Sequence, residues 1–400
     1  MLADLPLPAG DFEEHWSAAS GLLREHEVDC AVVIGPEAQY WLCGYDTFLG
    51  ALLPQALVFT PGDPAPTLVV WDADVAIAHR TSLVEDVRSF RFGVDEPAEL
   101  FAQVASGKAP GARRIGVDLA SRAVPYELGC ALTRLLAGIE LVDIGAGLAR
   151  LRALKSPAEL AIMRQAGTYA RAGLEAARAH ARAGQTEIQL AAEIEYAMRR
   201  AGSDYWSIPT ELTSGPRSLL GHGTPTSRTL EPGDLLHLEI GGAERRYNCV
   251  AMQTIVVPGA PPSAAASELY AIALRCFRAG LAQLRPDVPA ADVEQPALEE
   301  LRRAGRGDGF KMRFGYGVGI GYPPSWLEPL QITRTSTDVL RAGTTFVLHA
   351  CLLDESASVG VLVGGTYAIT DGGYELLSGA GDVELRAYPG PPRPAGRGSG

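Results

Sequence analysis

The sequence lacks several features that mark common classes of protein. Its six cysteines never show the Cys-x-x-Cys spacing of zinc and redox sites, so they are expected to be reduced thiols. No run approaches the roughly 18 consecutive apolar residues that span a bilayer. The first residues also lack the basic and apolar segments of a signal peptide. These absences predict a cytoplasmic protein that does not bind a membrane.

Positive charge is scarce as well. The formal net charge is -12, with 35 Lys and Arg against 47 Asp and Glu, and no basic cluster offsets it. Because negative charge repels phosphate groups, nucleic acid is not expected as a partner. The patterns GxGxxG and GxxxxGK[ST] are missing, so nucleotide chemistry has no sequence support and no cofactor is predicted.

The length of the chain indicates two domains, because 400 residues are more than one hydrophobic core usually stabilises. Residues 1–150 alternate short apolar runs with helix-like stretches, which predicts an α/β domain. Residues 386–400 are rich in Pro, Gly and Arg, and we expect a disordered tail there. The elements predicted in the first domain are a helix over 11–26, strands over 30–35, 56–60, 67–71 and 114–118, and a turn over 61–64.

The second domain is predicted over 151–385. Ser156 precedes a proline and then Glu159, the arrangement of a capping box with proline at the first helical position. A helix is therefore expected over 157–183, where a glycine follows. A second helix is predicted over 187–201, and it too ends at a glycine.

Several segments of this domain resemble one superfamily. The strand 233–239, Gly-Asp-Leu-Leu-His-Leu-Glu, resembles the strand that opens the active site in the methionine aminopeptidase, prolidase and creatinase superfamily. Residues 152–159 resemble the Arg-x-x-Lys-Ser-Pro-x-Glu start of its catalytic domain. Segments 41–46, 314–319 and 343–346 follow in family order. The resemblance implies an α/β (α+β) chain, with a creatinase-like N-terminal domain followed by a pita-bread catalytic domain.

The resemblance also implies how the protein assembles. Members form homodimers in which the N-terminal domain of one subunit covers the cleft of the other. Tyr45 then becomes a candidate for reaching the substrate across a subunit interface. The sequence itself does not establish this arrangement.

The family's metal cage consists of two Asp, one His and two Glu. By resemblance these positions fall at Glu239, Val250, Val318, His349 and Gly365. One carboxylate and one imidazole remain, whereas a metal site needs at least three protein ligands. The resemblance therefore points to the metal-free branch of the superfamily.

Creatinase, a metal-free member, offers one candidate catalyst. Its Ala-His-Asn-Pro segment, which carries the general acid/base, resembles the segment around His222. An imidazole titrates near neutrality and can take and return a proton. An exposed loop histidine is the alternative reading. The two carboxylates with which creatinase holds its guanidinium align with Met252 and Gly365, so creatine specificity is not implied.

Ectoine hydrolase is the closer match among metal-free members. Residues 319–328 resemble its Gly-Ile-Gly-Tyr-Pro-Pro-x-Trp-Gly-Glu run, with Leu327 in place of a glycine. Tyr322 and Trp326 are expected to form an aromatic wall that stacks on a flat cation, and Glu328 to join them in substrate binding. Ordinary loop packing of the two aromatic side chains is the alternative.

Strand periodicity places His237 and Glu239 on one face of the sheet. Glu239 is the predicted catalyst, as a base, as a nucleophile or as a partner of a cationic substrate. The alternative is an ion pair with Arg245 or Arg246. His237 and His349 are predicted to bind the substrate, and for His349 the alternative is a core histidine.

Two functional classes follow. The leading hypothesis is a metal-independent enzyme that acts on a C–N bond of a small cationic or cyclic amidine-like substrate, with Glu239 and His222 as the working pair. A biosynthetic cyclase, lyase or dehydratase with the same pocket is a variant. The contrasting hypothesis is a pseudoenzyme that binds a small molecule or a protein partner.

Overall fold

A computed structural model describes residues 5–379 and 384–388. The chain divides into two compact units, Met1–Glu159 and Leu160–Gly400. Each unit is described by itself. In the described part of the chain, no helix has both the length and the apolar character needed to cross a membrane.

The N-terminal unit is an α/β layer structure around one mixed sheet. Its strands are β1 Cys30–Val33, β2 Ala56–Phe59, β3 Thr67–Trp71, β4 Asp86–Phe90, β5 Arg114–Val117 and β6 Glu140–Asp143. Its helices are α1 Ala9–Glu25, α2 Pro36–Cys43, α3 Val75–Thr81, α4 Pro97–Lys108, α5 Tyr126–Leu135 and α6 Gly145–Arg152. The strand order is β4-β3-β2-β1-β5-β6, with β1 antiparallel to β2 and parallel to β5.

Local sequence explains this sheet. The predicted strands and the helix over 11–26 are present, with ends shifted by one or two residues. Gly62 has a φ of +79°, which suits glycine, and it allows the turn that joins antiparallel β2 and β3. The predicted α/β class of this domain is confirmed.

The described residues of the C-terminal unit include the helices α7 Pro157–His180, α8 Glu187–Ala201, α9 Ala264–Leu281 and α10 Ala290–Arg303. The sequence predicts the first two, although α7 ends three residues earlier than predicted, and it does not predict α9 or α10. At the start of α7, Glu159 N donates to Ser156 Oγ and Ser156 N donates to Glu159 Oε2, so the predicted capping box is confirmed. Helix α8 has the predicted bounds and ends at Gly202, which has a φ of +115°.

A curved sheet forms the centre of this unit. Its strands are β7 Glu211–Ser214, β8 Leu235–Glu244, β9 Tyr247–Val256, β11 Gly315–Tyr322, β12 Ser325–Ile332, β14 Thr345–Asp354, β15 Val359–Thr370 and β16 Gly373–Gly379. The order is β12-β11-β14-β15-β9-β8-β7, and β16 pairs with β15. The short strands β10 Val288–Pro289 and β13 Val339–Leu340 pair with each other.

Helices cover one face of this sheet and leave the other for the site. Leu236, Leu238 and Ile240 pack into an apolar cluster that includes residues of α7 and α8. Side chains alternate along a strand, so His237 and Glu239 lie on the opposite face, as predicted. Burial of the apolar face thereby fixes which residues of β8 are available for chemistry.

Gly242 lets the backbone of α7 approach β8 closely. A Cβ there would lie 2.3 Å from Ala166 O and 2.7 Å from Ala170 N, both rigid helix backbone atoms. We expect Gly242→Ala to lower the free energy of unfolding by about 2 kcal/mol or more, as measured by urea titration. Gly372→Ala, whose Cβ meets nothing within 4 Å, is the matched control. An unchanged Gly242→Ala midpoint would contradict the close packing.

The predicted disordered tail needs a partial correction. Ala387 forms a parallel bridge with Val256, and Gln253 Nε2 donates to the Tyr388 hydroxyl at 3.1 Å. These contacts exist because Arg178 and Arg386 lie over the Tyr388 ring, which gives it a surface to pack on. Residues 389–400 lie outside the described part of the chain.

Candidate functional site

Register across four strand pairs brings five residues into one row on the open face of the sheet. Glu211 of β7 pairs with Glu239 of β8, and Glu239 pairs with Met252 of β9. Met252 pairs with Gly364 of β15, which in turn pairs with His349 of β14. Directly opposed residues of antiparallel strands point to the same face, so these side chains share one surface.

A cavity of about 340 Å³ lies over this row. It contains carboxyl, imidazole, phenol and indole groups, with two basic side chains among its lining residues. The lining residues are Ile208, Glu211, Gly221, His222, His237, Glu239, Lys311, Met312, Arg313, Tyr316, Trp326, Leu327, His349, Cys351 and Leu362.

Glu239 is buried at this site and accepts a hydrogen bond from the Tyr316 hydroxyl at 2.9 Å. Trp326 Nε1 in turn donates to the Tyr316 oxygen at 3.4 Å. The predicted alternative of an ion pair with Arg245 or Arg246 is wrong, since Arg245 pairs with Glu244 and the Arg246 guanidinium lies over the Tyr205 ring. Burial raises the pKa of Glu239 to about 7, although the Tyr316 hydrogen bond acts in the opposite direction.

Glu211 is a second buried carboxyl group, and the sequence reasoning missed it. Burial, and then the charge of Glu239, raise its pKa to about 9. Among the described residues, its Oε2 atom has no hydrogen-bond partner. Its four-residue strand carries no motif, so pairing with β8 is the only signal that identifies it.

The three histidines of the cavity differ in exposure. His237 and His349 are buried, and burial lowers their pKa values to about 4 and about 3, so both are neutral at pH 7. His222 is exposed and lines the cavity, which fits both its predicted catalytic role and the alternative of an exposed loop histidine. The structure therefore brings His222, His237, His349 and Glu239 together, as the sequence predicts.

A buried carboxylate on α8 fixes the loop that carries His222. Glu187 accepts hydrogen bonds from the backbone and hydroxyl of both Ser214 and Thr226, which bracket that loop. Arg217 contacts Glu187 at 3.3 Å and also donates to Thr224 O. These bonds hold both ends of the loop against one helix.

The predicted aromatic wall is only half present. Trp326 lines the cavity, and a Cβ on Gly241 would lie 2.5 Å from its ring, so the indole packs directly on β8. Tyr322 is buried outside the lining, with the Arg246 guanidinium 5.5 Å from its ring centre. Glu328 is also buried and does not line the cavity.

Tyr45 lies in the N-terminal unit, where its side chain is buried. Its hydroxyl donates to Gln55 Oε1 at 2.7 Å and lies 3.4 Å from Asp74 Oδ2. The hydroxyl is therefore occupied by a polar network of its own unit. Substrate binding by Tyr45 across a homodimer interface stays a prediction.

Two positions that resemblance assigns to the metal cage, Val318 and Gly365, do not line the cavity. The β11–β12 pairing shifts after Tyr316, where β12 has two extra residues, and the Tyr316 hydroxyl, not Val318, contacts Glu239. On β15 the residue in the row is Gly364, because Gly365 pairs with Ala251 and points to the other face.

The side chains present do not fit the paired-metal cage of the family. Val250 supplies no ligand atom, and Gly364 has no side chain. In the described part of the chain, no three His, Cys, Asp or Glu side chains converge in a way that could hold a metal ion. No chemical step is therefore assigned to a metal here.

Comparisons with known proteins agree with this architecture. The family model for the creatinase/prolidase N-terminal domain matches residues 16–154. An uncharacterised hydrolase/peptidase of Sinorhizobium fredii is 24% identical over 380 residues, 92% of this chain and 95% of the relative. An Xaa-Pro dipeptidase of Pyrococcus furiosus is 28% identical over 228 residues, which cover 57% of this chain and 64% of that protein.

Solved structures show the same fold. The crystal structure of dipeptidase PepE from Mycobacterium ulcerans is 25% identical, with a TM-score of 0.81 over 95% of this chain and 99% of that one. The prolidase from Pyrococcus horikoshii is 22% identical, with a TM-score of 0.79 over 94% of this chain and 99% of that one. The family model for metallopeptidase family M24 matches residues 161–373, more than half of the chain, and the protein therefore belongs to this family.

Proposed function

We propose that this protein is a metal-independent hydrolase that cleaves a C–N bond of a small cationic or cyclic amidine-like substrate. The observation that carries the proposal is the buried Glu239 carboxyl, which faces a second carboxyl in a 340 Å³ cavity. Buried carboxylates are costly unless they are paired. Tyr316 donates one hydrogen bond to Glu239, whereas Glu211 Oε2 has no partner among the described residues, and a cationic substrate would supply one.

Glu239 is assigned the role of general base. It removes a proton from a water molecule, whose oxygen forms a bond to the electrophilic carbon of the substrate. A carboxyl with a pKa of about 7 suits this role, because it is ionised near neutral pH and still basic enough to accept a proton.

His222 is assigned to the other proton transfer. As the C–N bond breaks, the nitrogen takes the bonding electron pair and a proton from His222. The exposed position of His222 allows it to exchange protons with solvent between turnovers. Trp326 supplies a flat wall for the substrate.

Dipeptide hydrolysis is the competing assignment, because the P. furiosus relative is an Xaa-Pro dipeptidase. The side chains available as metal ligands argue against dipeptide hydrolysis by this protein, since Val250 and Gly364 cannot bind cations through side chains. We expect activity on amidines to survive EDTA, and Xaa-Pro dipeptides to be poor substrates with or without added Mn²⁺.

Hydrolysis can be tested directly. A panel of cyclic amidines, guanidino acids and Xaa-Pro dipeptides would be incubated in H₂¹⁸O and the products weighed by mass spectrometry. We expect one ¹⁸O atom in the amidine product, since water is the nucleophile. Loss of activity on chelation would contradict metal independence, and an unlabelled product would favour the cyclase, lyase or dehydratase variant.

A non-catalytic binding role is the second candidate. The absence of ligand side chains at Val250, Val318 and Gly365, which resemblance assigns to the metal cage, favours it, whereas the retained Glu239 and His222 do not. Saturable binding of an amidine without turnover across the whole panel would support this alternative.

A further inference from the structure

We propose that Glu211 and Glu239 form a carboxyl clamp for a planar amidinium or guanidinium group, each carboxyl accepting one N–H of the cation. This inference rests on the function proposed above. It adds Glu211 to the site as a residue that determines specificity. It also defines the shape of the cation that the cavity accepts.

Strand pairing supplies the geometry of the clamp. Glu211 and Glu239 are direct partners on antiparallel β7 and β8. Such partners have Cβ atoms about 4.5–5.5 Å apart on the same face, so two side chains of equal length reach the same space. Two N–H groups that diverge from one carbon match two acceptors that lie side by side. An ammonium group offers its charge from a single centre instead.

Without a ligand, one carboxyl oxygen of the clamp has no hydrogen-bond partner among the described residues. Tyr316 donates to Glu239 Oε1, but Glu211 Oε2 has no partner among the described residues. A buried acceptor without a donor destabilises the folded chain. An N–H of a bound cation would satisfy it, while Trp326 stacks on the flat face of the same group.

Most other titratable groups around the clamp are uncharged near neutral pH. His237, His349, Tyr316 and Cys351 are uncharged near neutrality, because burial lowers the pKa of the imidazoles and raises the pKa of the phenol and the thiol. The remaining titratable groups lining the cavity are His222, Lys311 and Arg313.

Lys311 and Arg313 each contact another side chain, whereas His222 is exposed. Lys311 pairs with Glu355, and Arg313 donates to Gln331 Oε1 at 3.0 Å, although its charge also lowers the pKa of Glu239. Burial raises the pKa of both clamp carboxyls, so the empty clamp holds protons at pH 7. A cation bound between the carboxyls lowers both pKa values and releases those protons.

Isothermal titration calorimetry of the intact chain tests the clamp on the parent protein. The probes are acetamidinium, guanidinium and methylammonium chlorides at millimolar concentration, with acetamide as the neutral analogue. We expect methylammonium to bind at least about tenfold more weakly than acetamidinium, and acetamide more weakly still. Repeating the acetamidinium titration at pH 7 in buffers of different ionisation enthalpy should show release of at least about one proton per cation.

Glu211→Gln tests the assignment of the second carboxyl. It should weaken acetamidinium binding at least about tenfold and release fewer protons, because the amide loses the charge and turns N–H groups toward the cation. Glu294→Gln is the matched control, since Glu294 is also buried in this unit but accepts from Arg334 N, and neither residue lines the cavity.

Two results would overturn the clamp: equal affinity for acetamidinium and methylammonium, or an unchanged affinity in Glu211→Gln. The first is measured on the parent chain, so it holds even if the variant does not fold. Acetamidinium binding with proton release but no turnover contradicts only the proposed hydrolase. Turnover that is indifferent to Glu211 contradicts only the clamp.

Discussion

Glu239→Gln is expected to lower kcat by at least about a hundredfold on whichever substrate of the panel is turned over. The amide keeps the size of the side chain and can still accept the Tyr316 hydrogen bond at its oxygen. It cannot take a proton from water, and a positioned general base contributes about 10²–10⁴ in rate. Steady-state kinetics of the parent and the variant at pH 8 measure the effect.

The kinetic comparison requires that Glu239→Gln folds, and the pKa of Glu239 predicts that it does. Its folded pKa of about 7 lies above the ordinary value of 4.5. The protonated carboxyl therefore stabilises the fold fully below about pH 4.5, and this contribution is lost as pH rises through 7. At pH 8 the neutral amide should melt no lower than the parent. Glu294→Gln should keep full activity, and a Glu239→Gln enzyme that retains a tenth of the parent kcat would refute the assigned base.

Much of the fold could be predicted because its signals are local. The capping box of Ser156 and Glu159 and the glycine after Ala201 each fix a helix end within a few residues. Alternation along β8 assigns His237 and Glu239 to one face without any knowledge of neighbouring strands. These features depend on residues close in the chain, so the sequence contains the information needed to place them.

The row of the site depends instead on register between strands far apart in sequence. Glu211 faces Glu239 only because β7 pairs with β8 in one register, and Gly364 enters the row through β9. A shift of one residue moves every side chain to the other face, and motif counting cannot detect it. This is why Gly365 was predicted where Gly364 stands, and why Glu211 was missed.

The contact between Tyr316 and Glu239 depends on distant strands as well. The β11–β12 register shifts after Tyr316, where β12 has two extra residues, and Tyr316 rather than Val318 contacts Glu239. The consequence is chemical, because the phenol of Tyr316 donates a hydrogen bond to the Glu239 carboxyl. The hydrogen bond from Tyr316 supports proton transfer at Glu239 rather than metal binding. The rate should therefore depend on pH through the pKa of Glu239.

Activity is expected to fall about a hundredfold between pH 8 and pH 5. A general base works only when ionised, and the pKa of Glu239 is about 7. Below that value kcat/KM should drop tenfold for each pH unit. A carboxylate with an ordinary pKa of 4.5 would leave the rate almost unchanged over this range. A pH profile of kcat/KM on the panel substrate distinguishes the two cases.

Tyr316→Phe should move the acid limb of that profile to higher pH. The Tyr316 hydrogen bond is the foremost influence that lowers the pKa of Glu239, so its loss leaves burial less opposed. The variant should be slower than the parent at pH 6 and approach it at pH 9. Tyr322→Phe is the matched control, because Tyr322 lies on the same strand outside the cavity lining. A limb that stays in place or moves to lower pH would show that another group is the base, since no loss of a donor to Glu239 can make its carboxyl more acidic.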